Sequence, residues 1–224
     1  AAEYNAIYQA KVVPVDVGLT PSTLLAVLIN DLSQAYTFKT VALMQASTIT
    51  FPVGKKIFWQ GYYAESDGGG NWGLVKAGAG INDGGSEFTL ADGQHVSANL
   101  KESKISAKKF GAKGDGVAND TSFLSTLIEY CYSNSLGAHL SAGTYNTTSL
   151  SFTPTGKVSV TGDGRGLSVI SLLSTTGTAL QFSNSILGIE LSGFSINCNF
   201  TTHGIGNHGI VLSNCSNARI FDML

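Results

Sequence analysis

Between Thr20 and Tyr36 the apolar positions keep a helical rhythm: Leu25, Leu28, Leu32 and Tyr36 fall three or four residues apart on one stripe. Thr20 stands where a cap belongs, and Pro21 suits the first helical position, where a missing N–H costs nothing. From Thr40 the rhythm shortens. The run "TITFPVGKKIFWQGYYAESDGGGNWGLVKAG" holds short β-branched and aromatic segments, broken at Pro52-Val53-Gly54 and at Asp67-Gly68-Gly69-Gly70. Asp-Gly followed by further glycines supplies the positive φ of a tight hairpin or bulge. Asn82-Asp83-Gly84-Gly85 is a second such cluster, ahead of the strand-like "SEFTLADGQHV". Helical rhythm returns after Asp120, where Phe123, Leu124, Leu127, Ile128 and Cys131 supply an apolar face. Asp120 is placed to cap that helix with its side chain, and Gly137 stands where a left-handed residue would end it. "AHLSAGTYNTTSLSF" then reads as strand, turn and strand, punctuated by Gly143.

The last third repeats itself. "ALQFSNS", Ala179 to Ser185, lies over "GIVLSNC", Gly209 to Cys215, apolar on apolar and Ser183-Asn184 on Ser213-Asn214. A second short strand follows each copy, "GIELSGFSIN" at 188–197 and "ARIF" at 218–221. Self-similarity on this scale points to stacked units that bury a shared core. Asn184 over Asn214 is what a parallel β-helix would place at a tight corner, with side-chain amides bonding one another up the ladder. The spacing is longer than a bare coil needs, so one turn carries an insert, expected at residues 200–207. The pattern breaks off at Leu224, which reads as the front part of a longer protein.

Composition narrows the partners. Hydrophobic residues make up 43% of the 224 positions and charged ones only 12%, about half the usual share of roughly 25%. With 27 glycines and abundant Ser, Thr and Asn, the surface is solvated by hydroxyls and amides. That suits tight turns, and a protein that faces sugars rather than phosphates. The net charge of -2 gives no field for a polyanion, so nucleic acid is not an expected partner. Lys101, Lys104, Lys108, Lys109 and Lys113 form a local exception, read as a solvated connector rather than a basic patch. The three cysteines are irregularly spaced without a CxxC, so free buried thiols are expected, with no metal and no disulfide framework. No cofactor is implied. Residues 1–10 lack the basic start and apolar core of a signal peptide, and the longest apolar run, Leu24 to Ile29, is too short to span a bilayer. The expectation is a soluble protein with no membrane insertion.

The stretch "KFGAKGDGVANDT", Lys109 to Thr121, followed by an amphipathic helix and then "LSAGTY", resembles the start of the pectate-lyase-like right-handed β-helix of bacteriophage tailspikes and tail fibres. Phe110, Gly111, Gly114, Asp115, Gly116 and Asp120 carry the first motif, and Gly143 and Tyr145 the second, with Ser141 in place of the family's usual proline. "TVALMQAS…FPVGKKIFWQGYYAESDGGGNW…NDGGSEF" is likewise similar to the small domain that precedes the β-helix in many tailspikes. The resemblance covers residues 40–224. It implies a mainly β chain in three parts: an N-terminal helical segment for attachment or trimer formation (1–39), a small β-rich module (40–105), and a capping helix with the first coils of a right-handed parallel β-helix (106–224). It further implies a homotrimer in the virion, joined to tail or baseplate proteins. Such a protein binds host surface polysaccharide, capsule or O-antigen, and often cleaves it by hydrolysis or β-elimination. A non-catalytic adhesive tail component and a bacterial polysaccharide lyase are the alternatives.

Within these residues the candidate chemistry is thin. Asp115 and Asp120 form a tempting acid pair for glycoside hydrolysis, but an aspartate between glycines is a turn former and Asp120 has helix N–H groups to serve. Gly162-Asp163-Gly164-Arg165-Gly166 lacks the Lys-Ser/Thr ending of a phosphate loop and reads as a β-helix turn. Glu190 and Asp222 are expected on the outer surface, the one acid pair a sugar could meet. His203 and His208 read as solvated loop histidines, and the N-x-T sequences at Asn146 and Asn199 carry no meaning without a secretory signal. Trp59, Tyr62, Tyr63 and Trp72 are open to two readings, an exposed aromatic binding face or the core of the small module. On the family analogy, catalytic residues are unknown here and lie beyond Leu224.

Overall fold

A computed structural model describes residues 36–174, 176–185, 187–199 and 207–224. The predicted N-terminal helix lies outside these residues except for Tyr36, which opens a strand instead of closing a helical stripe.

The first part is a five-stranded sheet built from β1 (Tyr36–Thr40), β2 (Lys56–Gly61), β3 (Asn71–Lys76), β4 (Glu87–Thr89) and β5 (His95–Ala98), in the order β1-β2-β3-β5-β4. β1 and β2 run parallel, joined through the short helix α1 (Val41–Gln45), and the remaining pairs are antiparallel. Thr40 caps α1, its hydroxyl accepting from the Leu43 amide at 3.2 Å. The helix lays Val41 and Met44 on one sheet face, where Phe51, Ile57, Trp59, Val75, Phe88 and Val96 complete a core. The Asp67 turn between β2 and β3 is held by its carboxylate, which accepts from the amides of Tyr62, Tyr63, Ala64 and Gly69 at 2.7–3.1 Å.

After β6 (Lys104–Ser106), a 3-10 turn (Ala107–Phe110), β7 (Asp115–Asn119) and α2 (Thr121–Ser133), the chain coils. Three triplets follow: β8 (Gly137–Leu140), β9 (Gly143–Thr147), β10 (Leu150–Phe152); β11 (Val158–Gly162), β12 (Ser168–Leu172), β13 (Gly177–Ser183); β14 (Ile189–Ser192), β15 (Ser195–Asn197), β16 (Asn207–Ser213). A last strand, β17 (Ala218–Phe221), starts the next turn. The strands stack into three parallel sheets, β6-β8-β11-β14-β17, β7-β9-β12-β15 and β10-β13-β16, so each triplet visits every sheet once. This is a parallel β-helix.

Its bore is filled by like residues in register. Ala138, Val160 and Leu191 stack in one sheet, Leu150, Leu180 and Ile210 in another. Phe152 and Phe182 lie over each other with ring centroids 5.4 Å apart. Burying a side chain of this size contributes about 1.5–3 kcal/mol, and the ladder repeats that gain at every rung. α2 closes the front of the bore with Leu124, Leu127, Ile128 and Cys131.

The ladder expected from the repeat is present. β13 pairs with β16, Ser183 opposite Ser213, and Asn214 Nδ2 donates to Asn184 Oδ1 at 2.8 Å. Both asparagines take left-handed φ, +57° and +51°, a conformation that Asn tolerates better than most residues. "GIELSGFSIN" forms two strands rather than one, because Gly193 (φ +70°) turns the chain between β14 and β15. Of the expected insert, residues 200–206 lie outside the described residues and Asn207 begins β16.

Two terminal assignments of α2 differ from the sequence reading. Asp120 occupies the cap position without a side-chain bond to the helix, because its carboxylate serves an earlier loop. The left-handed residue after the helix is Ser135 (φ +58°), and Gly137 already belongs to β8. The amide of Leu136 reaches back to the Cys131 carbonyl at 2.8 Å, and the helix ends at Ser133, four residues before the glycine.

Candidate functional site

The residues of the two quoted motifs meet at the seam between module and coils. Asp120 is fully buried, and its two oxygens accept from the amides of Lys113 (2.7 Å) and Gly114 (2.9 Å). Its own amide donates to the Asn146 carbonyl at 2.7 Å. The loop thus fastened puts Gly114 against Tyr145: a Cβ there would stand 2.8 Å from the ring. Tyr145 is fully buried and donates its hydroxyl to the Ser141 carbonyl at 2.8 Å. Gly143, at φ +151°, lies so close that a Cβ would come within 2.4 Å of the Gly114 carbonyl oxygen, while the Thr144 amide donates to that oxygen at 2.9 Å. Gly111 (φ +88°) ends the 3-10 turn under the Tyr62 ring, and Phe110 occupies the space beside Gly85. Asp115 and Gly116 stand apart from this knot, at the exposed start of β7.

The chemistry of this knot is that of a fastener. Burial pushes the Asp120 carboxyl above the usual carboxylate range, against the pull of its two N–H donors. Asp115 is fully exposed, and the amides of Ala118 and Val117 hold it below that range. Each carboxylate therefore has its own backbone partners.

The four aromatics divide. Trp59 is core, packed edge-on to Phe88 at 5.4 Å, with its indole N–H on the Gly69 carbonyl. Tyr62 and Tyr63 bridge to the seam, donating their hydroxyls to the carbonyls of Gly84 and Gly111 at 2.9 and 2.8 Å. Burial raises the Tyr62 phenol to about 12. They line an open cleft of about 230 Å³ with Asp67, Lys108, Lys113 and Asp115. Trp72 lies on the opposite sheet face beside Phe58, with Lys56 Nζ 4.2 Å over its ring. The lysine run is partly paired: Lys109 bonds Glu102 at 2.5 Å, Lys108 donates to the Lys113 carbonyl, and Lys113 covers the Tyr63 ring.

Every charged residue from position 137 onward lies in the β8-β11-β14-β17 sheet or in a turn beside it: Lys157, Asp163, Arg165, Glu190, Arg219 and Asp222. Glu190 takes Lys157 at 3.4 Å and faces Arg219 across the ladder; Asp222 takes Arg165 at 3.1 Å. The register thus separates the two acids expected on this surface and gives each a base. Asp163 was legible only as a turn residue. It also accepts from the Ala142 amide at 2.8 Å and pairs with His139 Nε2 at 3.0 Å. His208 lies in β16 and is exposed; His203 is outside the described residues. Cys131, Cys198 and Cys215 are free thiols. Among the described residues no group of three His, Cys, Asp or Glu could hold a metal ion, and no helix is long and apolar enough to cross a membrane.

No protein-family model matches the chain, and no curated protein sequence does. Solved structures do. A Pantoea stewartii protein, WceF, described as a glycan biofilm modifying enzyme with a bacteriophage tailspike-like parallel β-helix fold, superposes with a TM-score of 0.67 at 18% identity, over 86% of this chain and 29% of its own. The enzymatically active domain of tailspike protein 2 of bacteriophage CBA120 gives 0.60 at 17%, over 84% and 28%. Tailspike gp49 of Acinetobacter baumannii bacteriophage Fri1, a capsular polysaccharide depolymerase, gives 0.50 at 11%, over 72% and 37%. At these identities the likeness establishes a fold: a tailspike-like parallel β-helix. The chain spans less than a third of the length of the first two.

Proposed function

We propose that this chain is the front part of a phage tailspike that binds host surface polysaccharide and, in the full-length protein, depolymerises it. The observation that carries this reading is the fastened seam, where Asp120, Gly114, Gly143 and Tyr145 join a small β module to the first coil of a tailspike-like β-helix. In this reading residues 1–39 attach the protein to the tail or form a trimer stem, residues 40–105 form the module, and residues 106–224 cap and start the β-helix of a homotrimer. The eight seam and motif residues act structurally. The catalytic groups stand elsewhere in the full-length protein, in keeping with the pairing of each coil acid to a base or a backbone amide.

That same pairing favours a second reading, a tail component that binds glycan without cleaving it. Full-length protein incubated with capsule or O-antigen separates the two. New reducing ends without ultraviolet absorbance mean hydrolysis, and a rise in absorbance from an unsaturated product means elimination. Neither signal, on a polysaccharide that the protein binds, favours the adhesin; no binding to any surface polysaccharide counts against both.

A further inference from the structure

On the outer side of the charged sheet, the chain leaves a notch of about 270 Å³ between β6 and β11. It is bordered by Ser103, Lys104, Ser135, Gly137, Lys157 and Ser159. Gly137 leaves part of the notch floor open: a Cβ there would project into it, 3.3 Å from Lys104 Cγ and 3.5 Å from Ser159 Oγ. Gly137 is not among the glycines that need a positive φ, so the turn does not explain its lack of a side chain. Two residues earlier the pattern is reversed. Ser135 takes the left-handed position that glycine normally fills after a helix, keeping a hydroxyl at the rim at a cost of roughly 1–2 kcal/mol.

The polar groups around this floor are unspent. The Lys104 ammonium makes no ion pair or hydrogen bond among the described residues, and the hydroxyls of Ser103, Ser135 and Ser159 make none either. Among the described residues Lys157 has only the 3.4 Å contact with Glu190. In a chain with 12% charge, whose charges from position 137 onward all lie in or beside this sheet, two lysines border one glycine-floored notch. Hydroxyl donors and acceptors around it match the edge of a sugar. The volume lies below the roughly 300–1,000 Å³ of pockets that enclose a whole ligand, and so fits one unit of a longer chain.

We infer that this notch is a subsite for a carboxylate-bearing sugar of an acidic polysaccharide, with Lys104 as its main cation. The inference rests on the polysaccharide-binding reading above and adds the charge class of the glycan. A lysine–carboxylate contact is a charge-assisted hydrogen bond, and its loss weakens binding about tenfold or more.

The test uses full-length protein and a panel of purified capsules and O-antigens, each in native form and after reduction of its uronate carboxyls to alcohols. Affinity is read by biolayer interferometry for the wild type, Lys104→Met and Gly137→Ala. Lys104 is exposed, and the added methyl at 137 meets only contacts of 3.3 Å or more. Circular dichroism and thermal unfolding are expected to match the wild type. The expected result is that the bound polysaccharides carry carboxylates, that reduction weakens them about tenfold or more, and that both substitutions lower native affinity towards the reduced level. Neutral polysaccharides bound as tightly, or both variants binding like the wild type, overturn the subsite and leave the polysaccharide reading standing. A wild type that binds nothing in the panel overturns that reading and the subsite with it.

Discussion

The side-chain amide of Asn214 donates to Asn184 Oδ1 at 2.8 Å, from one coil to the coil beneath it, thirty residues earlier in the chain. The same corner carries a backbone bond from the Asn184 amide to the Ser213 carbonyl. Asparagine does two things there: it bonds its neighbour up the ladder and it accepts a left-handed φ. Substitutions separate the two. Asn184→Gly loses the ladder bond but keeps the conformation, and is expected to cost about 0.5–1.5 kcal/mol. Asn184→Ala loses both, for about 2–3 kcal/mol in total. Urea unfolding of the two variants checks the order, and equal costs would deny the conformational part.

Gly143 is the tightest point of the seam. Alanine there must keep φ near +151° and place a methyl 2.4 Å from the Gly114 carbonyl oxygen. Strain and overpacking together predict a loss of about 3 kcal/mol, read as a lower unfolding midpoint with the m-value unchanged. Gly116→Ala meets only the Thr144 side chain at 3.6 Å or beyond, so it keeps the conformational part and lacks the clash. It is expected to cost clearly less.

Two aspartates give opposite dependences on pH. The Asp120 carboxyl is raised, chiefly by burial. Between its unfolded and folded pKa values the folded chain holds more protons, so its contribution to stability falls as pH rises through that window and is greatest below it. At Asp67 burial pushes up, but the four amides of Tyr63, Gly69, Tyr62 and Ala64 together pull the carboxyl below 3.8. Its contribution is full above that value and lost as pH falls through the folded pKa. Melting temperatures measured across the acid range are expected to show wild type and Asp67→Asn converging on acidification, and wild type and Asp120→Asn diverging.

Alkali acts on the phenols and one thiol. Burial lifts Tyr62 and Cys131 each to about 12, and lifts Tyr145 further. Folded, these groups keep protons that the unfolded chain releases near 9–10, so stability falls as pH rises above that range. Tyrosinate absorbance from Tyr62 and Tyr145 is expected to appear only together with unfolding. A single smooth titration with the fold intact would contradict the burial of these two rings.

How much of this could be read from the residues follows from how local each cause is. The repeat of "ALQFSNS" over "GIVLSNC" reflects register and like-on-like stacking, so it predicted the ladder and the asparagine pair. The apolar face of α2 was equally plain. Asp120 was misread as a side-chain cap because cap and loop partner look alike in sequence; the competitor was a pair of amides six and seven residues upstream. Gly137 was misread because a glycine after a helix usually signals its end, whereas here it shapes the floor of a notch. That notch joins β6, the end of α2 and the start of β11. No single segment contains it, and only the stacking of coils brings Lys104, Gly137 and Ser159 together.

The most direct test of the account follows polymer length. Full-length protein is mixed with the surface polysaccharide of a host to which it binds, and the molar mass of the glycan is followed by size-exclusion chromatography with light scattering. A steady fall from polymer to short oligosaccharides of uniform repeat is expected. Glycan that stays at full length while bound to the protein would contradict depolymerisation and leave an adhesin.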